Sequence, residues 1–473
     1  PALVVLVALL LGSSALAVAD PEERRDDRPT AAPSAMALAG QSSDLWFCLG
    51  PTTALDGVDH RVVEMASISA GPTDGRVIVV DDRGRAVERA FRLDAGDRLE
   101  IRPGRFVPGS AFAAVTVEVP GGAVVVGQRV EGDGVDQRPC LTRTSDTWLV
   151  PWSTTARPGN RAWVLLHNPF RAAAVADLRF VGDIGRRETL DSQGVVVPGR
   201  SMVAYDVTER IADSAVVSAT VDVRVGHVVV ARLQASDGSG PMGTRGLDLA
   251  PGVPDMASRA FVPGVAETGD ATDGRTVVVV NTGVEPVEAE VVVRTAEQDH
   301  GVEPWRLVLR SGQRHVVDLD DGRLDGLGPF GVEVRTLDGR PVAVSVVQRF
   351  GETGGLSVRP AVSVAARGWV VDLGERYGAT TDVLAVMNPA IEGIATIEVK
   401  VLAGTAPTNV VRSVELSPGT QVSFDLGAGP PVVLAVESTA PVIASVHARA
   451  ESSATGSIAV AVAGTEARPA ASR

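Results

Sequence analysis

The chain has 473 residues, with 58 Asp plus Glu against 44 Lys plus Arg and a formal charge of −14. No basic run longer than Arg24-Arg25 occurs, so the basic face that a nucleic-acid binder needs to displace counterions from phosphate is missing. The length exceeds one ordinary core and suits three to five domains, with 50 glycines and 30 prolines punctuating valine-rich segments.

Pro1 to Ala19 is apolar around Leu3-Val-Val-Leu-Val-Ala-Leu-Leu-Leu11 and ends in Ala17-Val-Ala19, a small-x-small cleavage pattern. Its 19 residues also suit a membrane anchor. A cleaved signal peptide and a retained anchor both stay open, and both place the rest of the chain outside the cytoplasmic membrane. Residues 20–43, with Glu22-Glu-Arg-Arg-Asp-Asp-Arg28 followed by Pro, Ala and Ser, read as a disordered linker.

From there the sequence repeats. An aromatic opening strand recurs at Asp44-Leu-Trp46-Phe-Cys48, Asp146-Thr-Trp148-Leu-Val150, Arg259-Ala-Phe261-Val-Pro263 and Arg367-Gly-Trp369-Val-Val371, spaced by 102, 113 and 108 residues. A fixed period of this kind marks repeated units. They are expected at 44–145, 146–257, 258–365 and 366–466, with a disordered tail at 467–473. Three of the five asparagines close the same strand, at Ala162-Trp-Val-Leu-Leu-His-Asn168, Thr276-Val-Val-Val-Val-Asn281 and Asp382-Val-Leu-Ala-Val-Met-Asn388. Each is followed 31 residues later by a turn glycine, Gly199, Gly312 or Gly419. An alternating strand ending in aspartate comes next, at Asp206, Asp318 and Asp425. Asparagine bonds its own backbone and glycine supplies positive φ, so these are turn residues. The last strand of each unit places Gln128, Gln234, Gln348 and His447 alike. The first unit lacks the asparagine, and its membership rests on strand rhythm and Gly96.

Strands of five to eight residues between turns, with no helical periodicity, predict an all-β fold. About seven strands per unit point to a tandem array of four immunoglobulin-like or fibronectin-like β-sandwich domains after the hydrophobic leader. The Cys…Trp…Cys core of antibody domains is missing, so that likeness is architectural.

Catalytic signals fail in context. Gly238-Ser-Gly240-Pro-Met-Gly243 matches G-x-G-x-x-G, yet no helix pattern follows to present amides to a pyrophosphate, and it reads as a turn. The histidines, at 60, 167, 227, 300, 315 and 447, form no H-x-x-x-H, and no G-x-S-x-G elbow occurs. Asp318-Leu-Asp320-Asp321-Gly322, with Asp325, lacks calcium-loop spacing and reads as a solvated turn. No catalytic, metal or cofactor residue is assigned, and the chain is expected not to be an enzyme. Cys48 and Cys140, the only cysteines, are expected to staple the first unit in an oxidising compartment. Trp46, Trp148 and Trp369 repeat and belong to packing. Trp152, Trp163 and Trp305 do not repeat and are the candidate ligand contacts.

The leader, tether, Trp-Phe-Cys opening and repeated Asn-Pro and Pro-Gly turns together resemble a family of uncharacterised secreted or membrane-anchored actinobacterial proteins built from tandem β-sandwiches. The resemblance covers roughly residues 44–465. It implies an extracytoplasmic envelope location and carries over no activity and no functional residue. The expected role is a non-enzymatic structural or interaction scaffold at the cell envelope, an extended stalk presenting strand edges and loops to envelope proteins or wall polysaccharide. The alternative is a carbohydrate-binding module array on wall polysaccharide. The membrane is touched only through the N-terminal segment.

Overall fold

Valine-rich runs bounded by glycine, proline and asparagine become antiparallel strands in the computed structural model. It describes residues 45–121, 124–132, 134–254, 256–265, 272–298, 301–350, 355–374, 380–404, 413–426, 429–450 and 458–461. The leader, linker and tail expected from the sequence lie outside the described residues, as does the side chain of His447. Among the described residues no helix is long and apolar enough to cross a membrane.

The first unit contributes β1 (Leu45–Pro51), β2 (Val58–Ser67), β3 (Thr73–Asp81), β4 (Ala86–Leu93), β5 (Arg98–Ile101), β6 (Phe112–Glu118), β7 (Val124–Gly132) and β8 (Val135–Pro139). These form two four-stranded sheets, β1-β6-β3-β4 and β5-β2-β7-β8. The second unit adds β9 (Thr147–Ser153), β10 (Asn160–Asn168), β11 (Ala174–Gly182), β12 (Gly185–Arg187), β13 (Val195–Val197), β14 (Ser201–Asp206), β15 (Val217–Val225), β16 (Val229–Asp237) and β17 (Arg245–Pro251). Its sheets are β14-β10-β16-β17 and β12-β11-β15-β9, with β13 also on β11. The third has β18 (Arg259–Val265), β19 (Thr272–Val280), β20 (Val287–Arg294), β21 (Trp305–Leu309), β22 (Arg314–Asp318), β23 (Phe330–Thr336), β24 (Ala343–Phe350) and β25 (Gly355–Pro360), paired as β18-β23-β20-β21 and β22-β19-β24-β25. The fourth has β26 (Ala366–Leu373), β27 (Thr380–Met387), β28 (Ala395–Gly404), β29 (Ser413–Leu416), β30 (Gln421–Asp425), β31 (Val432–Ala450) and β32 (Ile458–Ala461). There β31 is long enough to serve both sheets, pairing first with β26 and β28 and then with β27 and β32.

The all-β expectation holds, and the strand order departs from the immunoglobulin-like or fibronectin-like likeness. An immunoglobulin-like sandwich pairs its first two strands in one sheet, whereas in the first and third units the first strand pairs with the sixth and the second with the fifth and seventh, and in the second and fourth units too the first two strands lie in separate ladders. The pattern recurs in the first unit, so its missing asparagine has a counterpart. Ser67 N–H donates to Asp97 O at 2.9 Å, as Asn281 N–H does to Gln313 O and Asn388 N–H to Thr420 O, each also at 2.9 Å.

The three asparagines are clamps. Asn281 Oδ1 accepts from Gly283 N–H at 2.9 Å, while its Nδ2 donates to Glu285 O at 2.7 Å and Leu309 O at 3.1 Å. Asn168 and Asn388 make the corresponding bonds to Val197 O and Leu416 O. Each thereby ties the end of one strand to a strand of the opposite sheet. Asn281→Ala should lower the unfolding free energy by about 1–3 kcal/mol, because buried carbonyls lose their donors. A denaturant midpoint unchanged from the parent would show the turn holding itself.

The units are not strung out. All described residues belong to one compact body, and each unit lays one sheet on the next. Phe47, Leu49, Val80 and Phe112 of the first unit share a core with Trp163 and Leu165 of the second, where the Phe112 and Trp163 rings sit 5.6 Å apart. Leu149 and Trp152 of the second pack on Val278, Val280, Val347 and Val358 of the third. In the third, Gly264 N–H donates to Gln421 Oε1 at 3.0 Å, and Pro263 O accepts from Ser445 Oγ at 3.0 Å. The fourth unit comes back to the first: their buried side chains form one continuous cluster, β32 lies against β8, and Arg98 pairs with Asp372. An extended stalk is therefore excluded by burial, since the faces it would expose are the seams.

The second strand explains why. In Thr276-Val-Val-Val-Val-Asn281 the side chains of 277 and 279 fill the unit's own core while 278 and 280 fill the seam. A strand buried on both faces is apolar throughout, whereas one with a wet face alternates.

Candidate functional site

Four of the last-strand and neighbouring polar residues meet where the first, second and third units join. Asp248 on β17 accepts from Arg138 of β8 at 2.9 Å, from Val358 N–H of β25 at 2.7 Å and from Arg232 of β16. Arg138 also pairs with Asp136 at 3.0 Å. All four charged side chains are buried. Burial, with Arg138 close by, pushes the Arg232 guanidinium down to about 9. These groups have no open route to a ligand and hold the seam together. The shared glutamines are consumed likewise: Gln128 accepts from Arg61, Gln234 from Thr154 N–H and Gln348 from Arg359.

The other conspicuous residues fall into structural places. Trp46, Trp148 and Trp369 are fully buried. His167 bridges the first seam, donating from Nδ1 to Ser201 O at 3.0 Å with Nε2 3.2 Å from the Thr116 hydroxyl. Burial lowers its pKa to about 4, so it stays neutral. The Gly238 to Gly243 stretch is the hairpin loop between β16 and β17, closed by Gly238 N–H on Thr244 O at 3.0 Å. Cys48 and Cys140 are bonded, joining β1 to the segment after β8. A disulfide is consistent with an extracytoplasmic compartment.

Of the three unrepeated tryptophans, Trp152 is 3% and Trp163 is 4% exposed. Both are seam residues, which corrects their assignment as ligand contacts. Trp305 is different. It is half-buried at the start of β21 and lines a cleft of roughly 750 Å³ between the outer edges of β21 and β22. The acidic turn lies at the same place, so two features remote in meaning become one site. Trp305 Nε1–H donates to Asp321 Oδ2 at 3.0 Å, Arg323 pairs with the same carboxylate at 3.1 Å, and its guanidinium lies 4.8 Å from the indole centroid. Asp318, His315, Glu303 and Arg306 complete the polar lining. Asp320 turns away to pair with Arg275. Among the described residues no group of three or more His, Cys, Asp or Glu side chains is placed to hold a metal ion.

The register between units shows where the lining of the cleft departs from its copies. Ile101 faces Val63, Tyr205 faces Val164, Phe424 faces Leu384 and Val317 faces Val277. These are equivalent positions. In the second unit Tyr205 stacks on Phe180, rings 5.9 Å apart, and closes the gap between the sheets. Val317 is packed into the third unit's own core and brings no ring to that place. Two residues earlier, Leu99, Val203 and Val422 are matched by His315, exposed at the cleft. The signal was present in the sequence as Arg314-His-Val-Val-Asp318 beside Gln421-Val-Ser-Phe-Asp425, and reading those strands only for their shared aspartate passed over it.

Among families, a family of unknown function (DUF5719) matches residues 118–329. That stretch holds β7 to β22 and with them the cleft. No curated protein matches the chain. One solved structure, the tetra-tandem repeat in the extending region of a large adhesion protein, is similar at 11% identity over 89% of this chain and 98% of that one. Its TM-score is 0.11, and at that value the likeness carries no inference.

Proposed function

We propose that the chain is a non-enzymatic scaffold of the cell envelope. Its four β-sandwich units make one rigid body outside the cytoplasmic membrane and hold outer loops and strand edges toward envelope proteins or wall polymers. The observation that carries this reading is the use of the repeated polar and aromatic residues: Asn281 and its copies clamp sheets, the repeated tryptophans fill cores, and Asp248 with its arginines locks three units together. Residues spent on rigidity are what a presenting body needs, and the Cys48–Cys140 bond suits an oxidising compartment.

Small-angle scattering tests the rigid body. A compact chain of this length has a radius of gyration near about 23 Å, whereas four separate units of about 13 Å each in a line give roughly 40 Å. The larger value would remove the scaffold in this form. Affinity capture by the purified chain, against wall polysaccharide and envelope proteins, tests presentation, and enrichment of neither overturns it.

A further inference from the structure

We infer that the cleft between β21 and β22 of the third unit is a binding site for an uncharged oligosaccharide, an inference that rests on the scaffold reading and names what this part of it holds. Three independent features converge there. His315 and Val317 of the lining stand where the copies carry Leu99, Val203 or Val422 and Ile101, Tyr205 or Phe424, so the lining belongs to this unit's own sequence. Its volume of roughly 750 Å³ falls within the small-ligand range of about 300–1,000 Å³. Its lining combines a half-buried indole, which offers an apolar ring, with an imidazole, three carboxylates and two guanidiniums.

The charges decide the ligand class. Glu303, Asp318 and Asp321 face Arg306 and Arg323, with Asp321 already paired to Arg323. Three carboxylates against two guanidiniums leave one net negative charge, with Arg306 also paired to Glu290, which disfavours phosphate and is too little to select a strongly basic peptide. Carboxylates accept and guanidinium or imidazole N–H groups donate, and a sugar hydroxyl does both. Sugar rings also present C–H faces that pack on an indole. Trp305 is held in place for this by Asp321 on its Nε1–H and by Arg323 on its ring.

The test is calorimetric titration of the full chain with a panel of uncharged trisaccharides built from glucose, galactose, arabinose and N-acetylglucosamine, with tetralysine as the peptide control. At least one trisaccharide should bind, and Trp305→Ala should weaken it by about tenfold or more. His315→Leu, which installs the residue of the first unit at an exposed position of the lining, should weaken it comparably while leaving the thermal midpoint unchanged. This second variant keeps the test sound if Trp305→Ala is unstable. No binding by any trisaccharide up to about 10 mM, unchanged affinity in both variants, or binding of tetralysine alone would overturn the site. Scattering from the same samples separates the two claims: a compact chain without sugar binding removes the site only, and an expanded chain removes the scaffold.

Discussion

Asp248→Ala is expected to be among the most damaging single substitutions in the molecule, lowering the unfolding free energy by about 3–5 kcal/mol, because breaking a buried ion pair leaves uncompensated charge behind. Removing the carboxylate strands the buried Arg232, leaves the buried Arg138 with Asp136 alone, and takes the acceptor from Val358 N–H. These groups come from the first, second and third units, so the loss should appear as cooperative loosening of all three rather than of one. Asp248→Asn keeps an acceptor oxygen for Val358 and should retain part of the stability. Denaturant unfolding, followed alongside hydrogen exchange at β8, β17 and β25, reads both the size and the spread. A change under about 1 kcal/mol, within the range of an ordinary surface substitution, would show that apolar contacts alone hold the seam.

The second large effect is expected from the disulfide. Cys48 and Cys140 are 92 residues apart, and in the chain-entropy account a loop of that length is worth about 4–5 kcal/mol. Cys48→Ser together with Cys140→Ser, or reduction of the parent, should therefore cost several kcal/mol. The bond lies within the cluster shared by the first and fourth units, so the loss should show as earlier exposure of both. Parent and double variant melting together under oxidising conditions would mean that packing already restrains the unfolded ends.

What could be read from the sequence follows from what each residue needs locally. Asn168, Asn281 and Asn388 announce turns because their side chains bond backbone a few residues away, and the structure finds them doing so. The opening tryptophans announce cores because nothing else in a β-rich chain accommodates a ring that large. Strand partners were harder. The pairing of β1 with β6 and of β2 with β7 spans dozens of residues, and valine runs do not say which neighbour they prefer. The seams left a trace that was legible and undervalued. Thr276-Val-Val-Val-Val-Asn281 is apolar on both faces, while Thr396-Ile-Glu-Val-Lys-Val401 alternates, its Glu398 and Lys400 exposed. The first kind of strand reports a neighbour on each side, the second a wet periphery. The cleft was visible in pieces, as a lone tryptophan and an acidic turn. Their meeting depended on β21 and β22 lying at adjacent sheet edges, which no local pattern specifies.

The return of the fourth unit to the first has a consequence for how such a chain can change length. An open solenoid gains or loses a terminal repeat at the expense of one interface, and its stability is close to a sum of neighbour terms. Successive head-to-tail contacts that close on themselves behave instead like the subunits of a cyclic oligomer, whose number is fixed by the rotation at each interface. Here that rule operates inside one polypeptide. Deleting a unit breaks two contacts and leaves two apolar faces without partners, and inserting one forces every seam to a new angle. Duplication, the route by which repeat proteins ordinarily lengthen, is closed to it, so divergence is confined to loops and outer edges, the places where His315 and Val317 already differ from their copies.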